Sequence, residues 1–538
     1  MTSKTSRRSS WKPPWKSLIC IVILLLFAGL RFVYLQADFP LGLGDKGMTY
    51  TDEGWWSRNA VAWVREGNWY IDDGYNTITA LPVLPAIQVV WFKLFGVSLA
   101  SARTITAISS ILISGLVYLL ARRELSTDLA WIAPFIVLTN YPTFAYSRLA
   151  LLEMPMLLLI LLSLWLVTGL SPRSPLEPYR QPYLKLIISG VLLVLAVLTK
   201  TTALFALPVI LLSIYFEPGS ESTLSHNRRR TKNSVNAIFI WLLTIVVVLV
   251  IGYFFLSQGG DAQSQTYFSE HNVTAKVPSL ASLWKGPLRV IERILRIFPL
   301  LFIGLLGAIA FLFKARKHQS SQLFRIVFFW SVAVLGAFSL SDFAAPRYFL
   351  VLIVPMALIV PLSIEQIMLE SKPKSRSKSN LKSKPKSGSF TFRQAPLAGL
   401  VLLLVFLSST GYSLFRVGNY LSSPQFTLIT TANSIERYIT SDSASDSAQS
   451  NVLMGHFADT IALAAQDIKA VNDKMGFRSL EYRIDKFSPS HYVSIGKVDP
   501  YIEAALEASY QLVLLEQFDL YQNSDYGKPV FLYQLRPL

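Results

Sequence analysis

The run LICIVILLLFAGLRFVYL, residues 18–35, decides the fold class, because it is about as long and as apolar as a helix that spans a membrane. Runs of similar length and composition recur along most of the chain. Of the 538 residues, 52% are hydrophobic and 15% are charged, whereas soluble domains are roughly 25% charged. The sequence therefore predicts a polytopic α-helical membrane protein.

The net charge of the chain is +17, a balance that would suggest a nucleic-acid partner in a soluble protein. Here the basic excess lies in short loops between apolar runs, as the positive-inside rule predicts for cytoplasmic loops. We therefore expect no nucleic-acid partner. The single cysteine, Cys20, excludes an intrachain disulfide and a cysteine-based metal site.

Residues 18–415 are predicted to form the membrane domain, preceded by a basic cytoplasmic N-terminus over 1–17. The first apolar run is longer than a usual signal-peptide core, so we interpret it as a retained signal-anchor. The stretch 81–99 is also apolar, but Arg122 and Arg123 reach the cytoplasm only if it returns to the side it came from. We therefore interpret 36–102 as one outer loop with interfacial helices.

The remaining apolar runs alternate across the membrane. Lys200 interrupts an apolar stretch too long for one span, so it marks the outer tip of a hairpin. The bases between Lys285 and Arg296 have helical spacing and predict an amphipathic helix at the membrane surface. The sequence predicts about eleven spans, at 18–35, 103–120, 129–146, 154–170, 184–199, 201–216, 235–256, 298–313, 323–340, 349–368 and 396–415.

Two segments are predicted to lie in water. The loop 371–393 is rich in Lys and Ser, so we expect it to be disordered, cytoplasmic and attracted to anionic membrane lipids. The tail, 416–538, has ordinary soluble composition and is predicted to be a small extracytoplasmic α/β domain. Its predicted elements are strands at 452–454, 492–495, 512–515 and 530–533 and helices at 434–439 and 501–508.

This topology places a set of charged residues on the outer side of the membrane. The stretch TDEGWW, residues 51–56, contains the adjacent carboxylates Asp52 and Glu53, which are poor packing material and suited to proton abstraction or cation binding. The other members of the set are Arg58, Arg148, Glu153, Lys200 and Arg347, which precedes Tyr348.

Taken singly, each of these side chains has a simpler interpretation, since acidic pairs are usually solvated and interfacial bases snorkel to lipid phosphates. Glu153 is harder to explain, because an acid between two spans is costly unless it is exposed or paired, for example with Arg148. A shared site accounts for the whole set: carboxylates act on a hydroxyl or amine, and cations bind an anion such as a lipid-linked phosphate.

Five motifs in this order resemble those of the GT-C membrane glycosyltransferases, and within them the protein O-mannosyltransferase and lipid A aminoarabinose transferase group. The resemblance covers about residues 18–415. The motifs are Asp52-Glu53-Gly54, Lys93-Leu94-Phe95-Gly96, Ser147-Arg148 through Glu153-Met154-Pro155, Leu198-Thr199-Lys200 and Pro346-Arg347-Tyr348-Phe349.

The resemblance implies a sugar donor linked to polyprenyl phosphate or diphosphate, a lipid, glycan or protein acceptor, and inverting transfer outside a bacterial plasma (inner) membrane. Asp52 would be the general base, while Glu53 and Glu153 would orient the acceptor or the base, or pair with the cations. No cofactor is predicted, and a requirement for a divalent metal is left open. The residues expected to bind the donor phosphate are Lys200, Arg347, Tyr348, Arg148 and Arg58.

Two features depart from the pattern of these relatives. Residues 76–82 contain no basic residue where relatives often carry one, and Glu153 stands where they usually have Asp. A transporter or flippase for lipid-linked sugars is the alternative, although the charges collect on one face and no inverted repeat is present. A membrane scaffold would leave the acidic pair unexplained.

Overall fold

The structure is a computed structural model that describes residues 15–43, 48–74, 76–168, 183–216, 224–257, 280–314, 321–340, 345–370, 394–445, 451–473, 478–521 and 528–538. The predicted disordered loop 371–393 and most of the predicted cytoplasmic N-terminus lie outside the described residues.

The chain is mostly helical before the tail. Apolar side chains in helical periodicity line the contacts between these helices, and most of the helices share one large buried core. The helices are α1 Trp15–Gly29, α2 Met48–Glu66, α3 Val83–Phe95, α4 Leu99–Ala121, α5 Thr127–Ala130, α6 Ile132–Thr139, α7 Tyr141–Tyr146, α8 Glu153–Val167, α9 Tyr183–Thr199, α10 Ala206–Tyr215, α11 Leu224–Ser257, α12 Leu280–Ile297, α13 Pro299–Lys314, α14 Gln322–Ser339, α15 Ile353–Glu370, α16 Gln394–Ser422, α17 Thr427–Ser445, α18 Ala458–Ala464, α19 Leu480–Phe487 and α20 Pro500–Glu507.

Several of these helices are apolar enough to cross a membrane, so the chain is a multi-pass membrane protein. In the described part, five meet the length and hydropathy that a full span requires, or six if the bent pair α12–α13 is counted as one. Further apolar helices, among them α8 and α9, are shorter. The number of eleven spans stays a prediction.

Helix α12 and helix α13 meet at a bend of 118°. The predicted amphipathic helix at 285–296 is thus confirmed as a helix that turns sharply before the apolar one begins at Pro299. Lys200 is also a break, as predicted: its backbone is extended, α9 ends at Thr199, and a 3₁₀ turn covers Thr201–Phe205.

The predicted span 129–146 is not one helix but three short ones, α5, α6 and α7. Asn140 explains the second break, because its extended backbone ends α6 while its side chain accepts the Thr143 N–H at 3.0 Å and caps α7. Pro142 in the first turn of α7 has no N–H to continue the preceding ladder.

The tail contains a five-stranded sheet in the order β2-β1-β3-β5-β4. Strand β1 pairs in parallel with β2 and β3, whereas β5 pairs antiparallel with β3 and β4. The four predicted strands are confirmed, and β2 was missed because it is only three residues long and half-buried. The strands are β1 Val452–Met454, β2 Lys469–Val471, β3 His491–Ile495, β4 Tyr510–Phe518 and β5 Val530–Pro537.

Helix α2, in the segment between α1 and α4, is held by a buried ion pair. Glu53 accepts two hydrogen bonds from Arg103 of α4, at 2.8 and 2.7 Å, and a third from the Ala150 N–H at 2.7 Å. Arg103 also donates to the carbonyl oxygens of Leu35 and Ala37. One guanidinium therefore fixes α2 and the chain leaving α1 against α4.

We predict that Arg103→Met will destabilise the protein by about 3–5 kcal/mol, since it leaves the Glu53 carboxylate buried without its partner. Thermal unfolding in detergent measures this effect. The double variant Arg103→Met with Glu53→Gln should recover part of the loss.

The matched control is Lys469→Met, which removes the exposed pair with Glu66 and should cost about 0–1 kcal/mol. Equal shifts in melting temperature for Arg103→Met and Lys469→Met would contradict the structural role of Arg103.

Candidate active site

Two acids and two bases from distant parts of the chain form one buried cluster. Arg347 Nη2 lies 2.6 Å from Asp52 Oδ2, and Arg347 Nε lies 3.1 Å from Glu153 Oε1. Lys200 Nζ lies 2.5 Å from the same Glu153 oxygen. We call Asp52, Glu153, Lys200 and Arg347 the charge cluster.

Each member of the charge cluster comes from a point where a helix begins, ends or breaks. Glu153 is the first residue of α8, where the positive end of the helix dipole stabilises a carboxylate. Lys200 occupies the extended break after α9, and Arg347 lies in a 3₁₀ turn, Pro346–Leu352, that precedes α15. Asp52 is supplied by the second turn of α2.

The charge cluster is nearly closed to solvent, and its formal charges cancel. The four residues are between 3% and 9% exposed. A buried charge without a counter-ion costs several kcal/mol, so each ion here requires the others. The ring of Tyr348 adds an apolar wall, since Lys200 Nζ lies 4.0 Å from its centroid and the Arg347 guanidinium carbon 5.6 Å.

Burial raises the pKa of Asp52 above its ordinary value. The positive charge of Arg347 opposes this effect, and the negative charge of Glu153 adds to it. A carboxylate with a raised pKa is a stronger base, as proton abstraction near neutral pH requires. Asp52 is therefore the residue of the cluster best suited to accept a proton.

Three of the sequence-predicted site residues do not contact the charge cluster. Glu53 points to Arg103, so its carboxylate is committed to the structural ion pair described above. Arg148 donates to the carbonyl oxygens of four residues that follow α1, and it stacks on Phe144 and Tyr420 at 5.1 and 5.2 Å. Its predicted pairing with Glu153 is absent from the ion pairs of the described residues.

Arg58 is the third. It pairs with Asp73 and, at 3.3 Å from its Nε, with Asp459 of the tail. All three side chains are buried. Arg58 thus links α2 to the tail, and its guanidinium already pairs with two carboxylates.

Sequence reasoning missed Arg103, Asp459 and His456. Arg103 begins an apolar run, so the sequence predicts only the edge of a span there. The one signal for its role is that Glu53 is an acid in need of a partner. His456 packs edge-on against Trp55, three residues after Asp52 on α2, with ring centroids 4.7 Å apart. A contact between residues so distant in sequence leaves no local signal.

Among the described residues, no group of three or more His, Cys, Asp and Glu side chains is placed to hold a metal ion. The charge cluster itself brings two carboxylates together with two cations, a set that suits an anion or a moving proton.

A sequence model of one family, described as dolichyl-phosphate-mannose-protein mannosyltransferase, matches residues 80–253. That region includes Glu153 and Lys200 of the charge cluster. No curated protein sequence matches the chain significantly.

Solved structures match over nearly the whole chain. ArnT from Cupriavidus metallidurans bound to undecaprenyl phosphate has a TM-score of 0.61 at 15% identity, covering 97% of this chain and 98% of that one. ArnT in the apo state has a TM-score of 0.58 at 16% identity, with coverage of 96% and 98%. The apo oligosaccharyltransferase of Archaeoglobus fulgidus has a TM-score of 0.51 at 14% identity, with coverage of 94% and 74%.

These matches confirm the resemblance inferred from the motifs. At such low identity the likeness to solved structures establishes the fold, and the family match adds a local likeness in sequence over 80–253. The chain has the fold of the GT-C membrane glycosyltransferases and resembles their dolichyl-phosphate-mannose-protein mannosyltransferase family.

Proposed function

We propose that the protein transfers a sugar from a polyprenyl-phosphate-linked donor to an acceptor, with inversion at the anomeric carbon, at the outer face of the membrane. The charge cluster is the observation that carries this proposal, because it holds a carboxylate suited to proton abstraction and two cations of the kind that bind phosphate in one buried place. The family match and the undecaprenyl phosphate bound to ArnT support a lipid-linked donor.

Asp52 acts as the general base. It takes the proton of an acceptor hydroxyl or amine as that group attacks the anomeric carbon from the face opposite the phosphate. The new bond to the anomeric carbon forms while the bond from that carbon to the phosphate oxygen breaks, and its electron pair stays on the phosphate. Lys200 and Arg347 stabilise the charge that develops there, a contribution that is large in a site closed to water.

The charge balance of the cluster fits this reaction. A sugar diester of polyprenyl phosphate carries one negative charge, and the released phosphate monoester carries up to two. Asp52 loses its negative charge when it takes the proton, so the total charge of cluster and lipid phosphate stays constant. The negative charge moves from Asp52 to the phosphate, past Arg347, whose guanidinium contacts both Asp52 and Glu153.

Donor binding then requires Lys200 and Arg347 to exchange carboxylate contacts for phosphate contacts. Tyr348, packed against both cations, helps to exclude water. Glu153 keeps the two cations together, and its longer side chain in place of Asp reaches both of them from the start of α8. Arg58 and Arg148 have structural partners, so we assign the phosphate to Lys200 and Arg347.

We further propose the predicted topology: about eleven spans, a membrane domain over 18–415, and a tail over 416–538 outside the cytoplasm of a bacterial inner membrane. The tail supplies Asp459 to Arg58, so tail and helix α2 share one side of the membrane. The acceptor is a lipid, glycan or protein on that side.

Single-cysteine labelling in a Cys20→Ala background tests this placement. A membrane-impermeant maleimide added to intact spheroplasts should label Ser423→Cys and Ser509→Cys in the tail. Labelling of the tail only after the membrane is permeabilised would contradict the proposed side. Arg123→Cys, in a predicted cytoplasmic loop, is the matched control, and the reagent should label it only after the membrane is permeabilised.

Asp52→Asn should lower kcat for sugar transfer by about 10²–10⁴-fold, the contribution of a general base. The donor KM should be unchanged or lower, because the phosphate no longer competes with Asp52 for Arg347. The assay follows transfer from a polyprenyl-phosphate sugar by the purified protein.

The control is Asp72→Asn, which alters a partly exposed acid of the same segment that pairs with Arg478 and Lys486, and this variant should stay close to wild-type turnover. Near wild-type kcat in Asp52→Asn would exclude Asp52 as the base. Transbilayer movement of the donor lipid by the reconstituted protein, without transfer, would favour the flippase alternative.

The rate should also report the raised pKa of Asp52. The base must be ionised, so kcat/KM should fall on the acidic side at a higher pH than the roughly 4 expected of an ordinary aspartate. Glu153→Gln removes a negative charge that raises the pKa of Asp52, so this acidic limb should move to lower pH. Glu153→Asp keeps the charge and should leave the limb near its wild-type position. An identical limb in wild type and Glu153→Gln would contradict the assignment.

A further inference from the structure

We propose that the tail is a structural part of this active site. Its helix α18 holds helix α2 in the position at which Asp52 contacts Arg347, and Gly54 and Arg58 are the positioning residues. This inference rests on the proposed function for its kinetic consequence. Its structural content, that α18 sets the position of α2, can be measured without any activity.

Gly54 of α2 lies against the backbone of α18 with no room for a side chain. A Cβ added at Gly54 would lie 2.2 Å from the backbone nitrogen of Thr460 and 2.4 Å from the carbonyl carbon of Asp459. Both atoms are backbone at the start of α18, so no side-chain rotation can make room. Only glycine at position 54, two residues after Asp52, permits this approach of α18 to α2.

The second support is electrostatic. Arg58 follows Gly54 by one helical turn and lies between Asp459 of α18 and Asp73. The Asn472 N–H donates to Asp73 at 3.2 Å, and the Asn472 side chain approaches Asp459 at 3.4 Å. Burial raises the pKa of Asp459, and the positive charge of Arg58 opposes that rise. The tail thereby binds α2 through the guanidinium of Arg58, a residue that the sequence predicts to bind the donor phosphate.

The third support is the geometry of α2. At 100° per residue, Gly54, Arg58, Val61 and Arg65 fall on one face of the helix, and Asp52 lies about 160° away from Gly54. Arg65 donates to the carbonyl oxygens of Ala465 and Ile468, just beyond α18, at 2.7 and 3.3 Å. Helix α2 is therefore a spacer: one face rests on the tail, and the opposite face presents Asp52 to the charge cluster.

Gly54 and Asp52 belong to the same helix, two residues apart, so a displacement of the backbone at Gly54 also displaces Asp52. Arg347 belongs to another element, the turn before α15, and does not follow α2. The approach of α18 to α2, together with the pair between Glu53 and Arg103, thus sets the 2.6 Å contact between Arg347 and Asp52. A misplacement of about 1 Å can cost about 10²-fold in rate.

Gly54→Ala tests the inference, with Gly115→Ala as the matched control because a Cβ there meets nothing within 4 Å on helix α4. We expect Gly54→Ala to lower kcat by about 10–100-fold while the donor KM changes by less than about threefold. Gly115→Ala should retain wild-type kcat.

The pH profile separates positioning from simple loss of folded protein. A changed contact with Arg347 alters an influence that lowers the pKa of Asp52, so the acidic limb of kcat/KM should move to a different pH in Gly54→Ala. The groups that face Asp52 are Arg347, Glu153 and Lys200, and none of them is altered in this variant. A fall in rate with an unmoved limb would reduce Gly54 to a purely structural residue and overturn the inference.

Hydrogen exchange measured by mass spectrometry gives the activity-independent readout. Peptides covering 48–66 should exchange faster in Gly54→Ala and in Asp459→Asn than in wild type, and remain unchanged in Gly115→Ala. If the wild type transfers no sugar but these peptides respond, the proposed function fails and the coupling of α18 to α2 stands. If the wild type is active, and Gly54→Ala has the same kcat and the same hydrogen exchange as the wild type, the inference fails and the proposed function stands.

Discussion

The protein must keep four charges in a place that water barely reaches, and this constraint governs the arrangement around the site. Asp52, Glu153, Lys200 and Arg347 are each close to fully buried, and none could remain ionised there alone at acceptable cost. Their elements are separated by long stretches of sequence, yet the contacts among their side chains are 2.5–3.1 Å. The helix starts, breaks and turns that supply them are therefore fixed by mutual neutralisation as well as by apolar packing.

In the proposed function, neutralisation of this kind also prepares the reaction. The cations are already oriented by the carboxylates, so in the proposed reaction a lipid phosphate would meet preorganised hydrogen-bond donors instead of flexible side chains. Asp52 gains basicity from burial and is restrained by Arg347 until the phosphate competes for that guanidinium. In the proposed reaction the resting site is closed and neutral, and donor binding itself releases Asp52 as the base. The tail contributes by holding α2 from the opposite side, through Gly54.

Much of this was accessible from sequence, and what was missed has physical reasons. The helical membrane class follows from composition, and the break at Lys200 follows from the length of the apolar stretch around it. The importance of Glu153 follows from the cost of burying an unpaired acid. The choice of partners could not be read, because any outer base could in principle pair with any outer acid. Arg58 and Arg148 were therefore assigned to phosphate, although burial commits them to carboxylates and to backbone carbonyls.

A structure of the protein with polyprenyl phosphate bound would show whether Lys200 and Arg347 hold the phosphate. We expect phosphate oxygens within hydrogen-bonding distance of Lys200 Nζ and the Arg347 guanidinium, with the ion pair between Arg347 and Asp52 opened. A phosphate bound at another position, with the contacts of the charge cluster unchanged, would contradict this expectation.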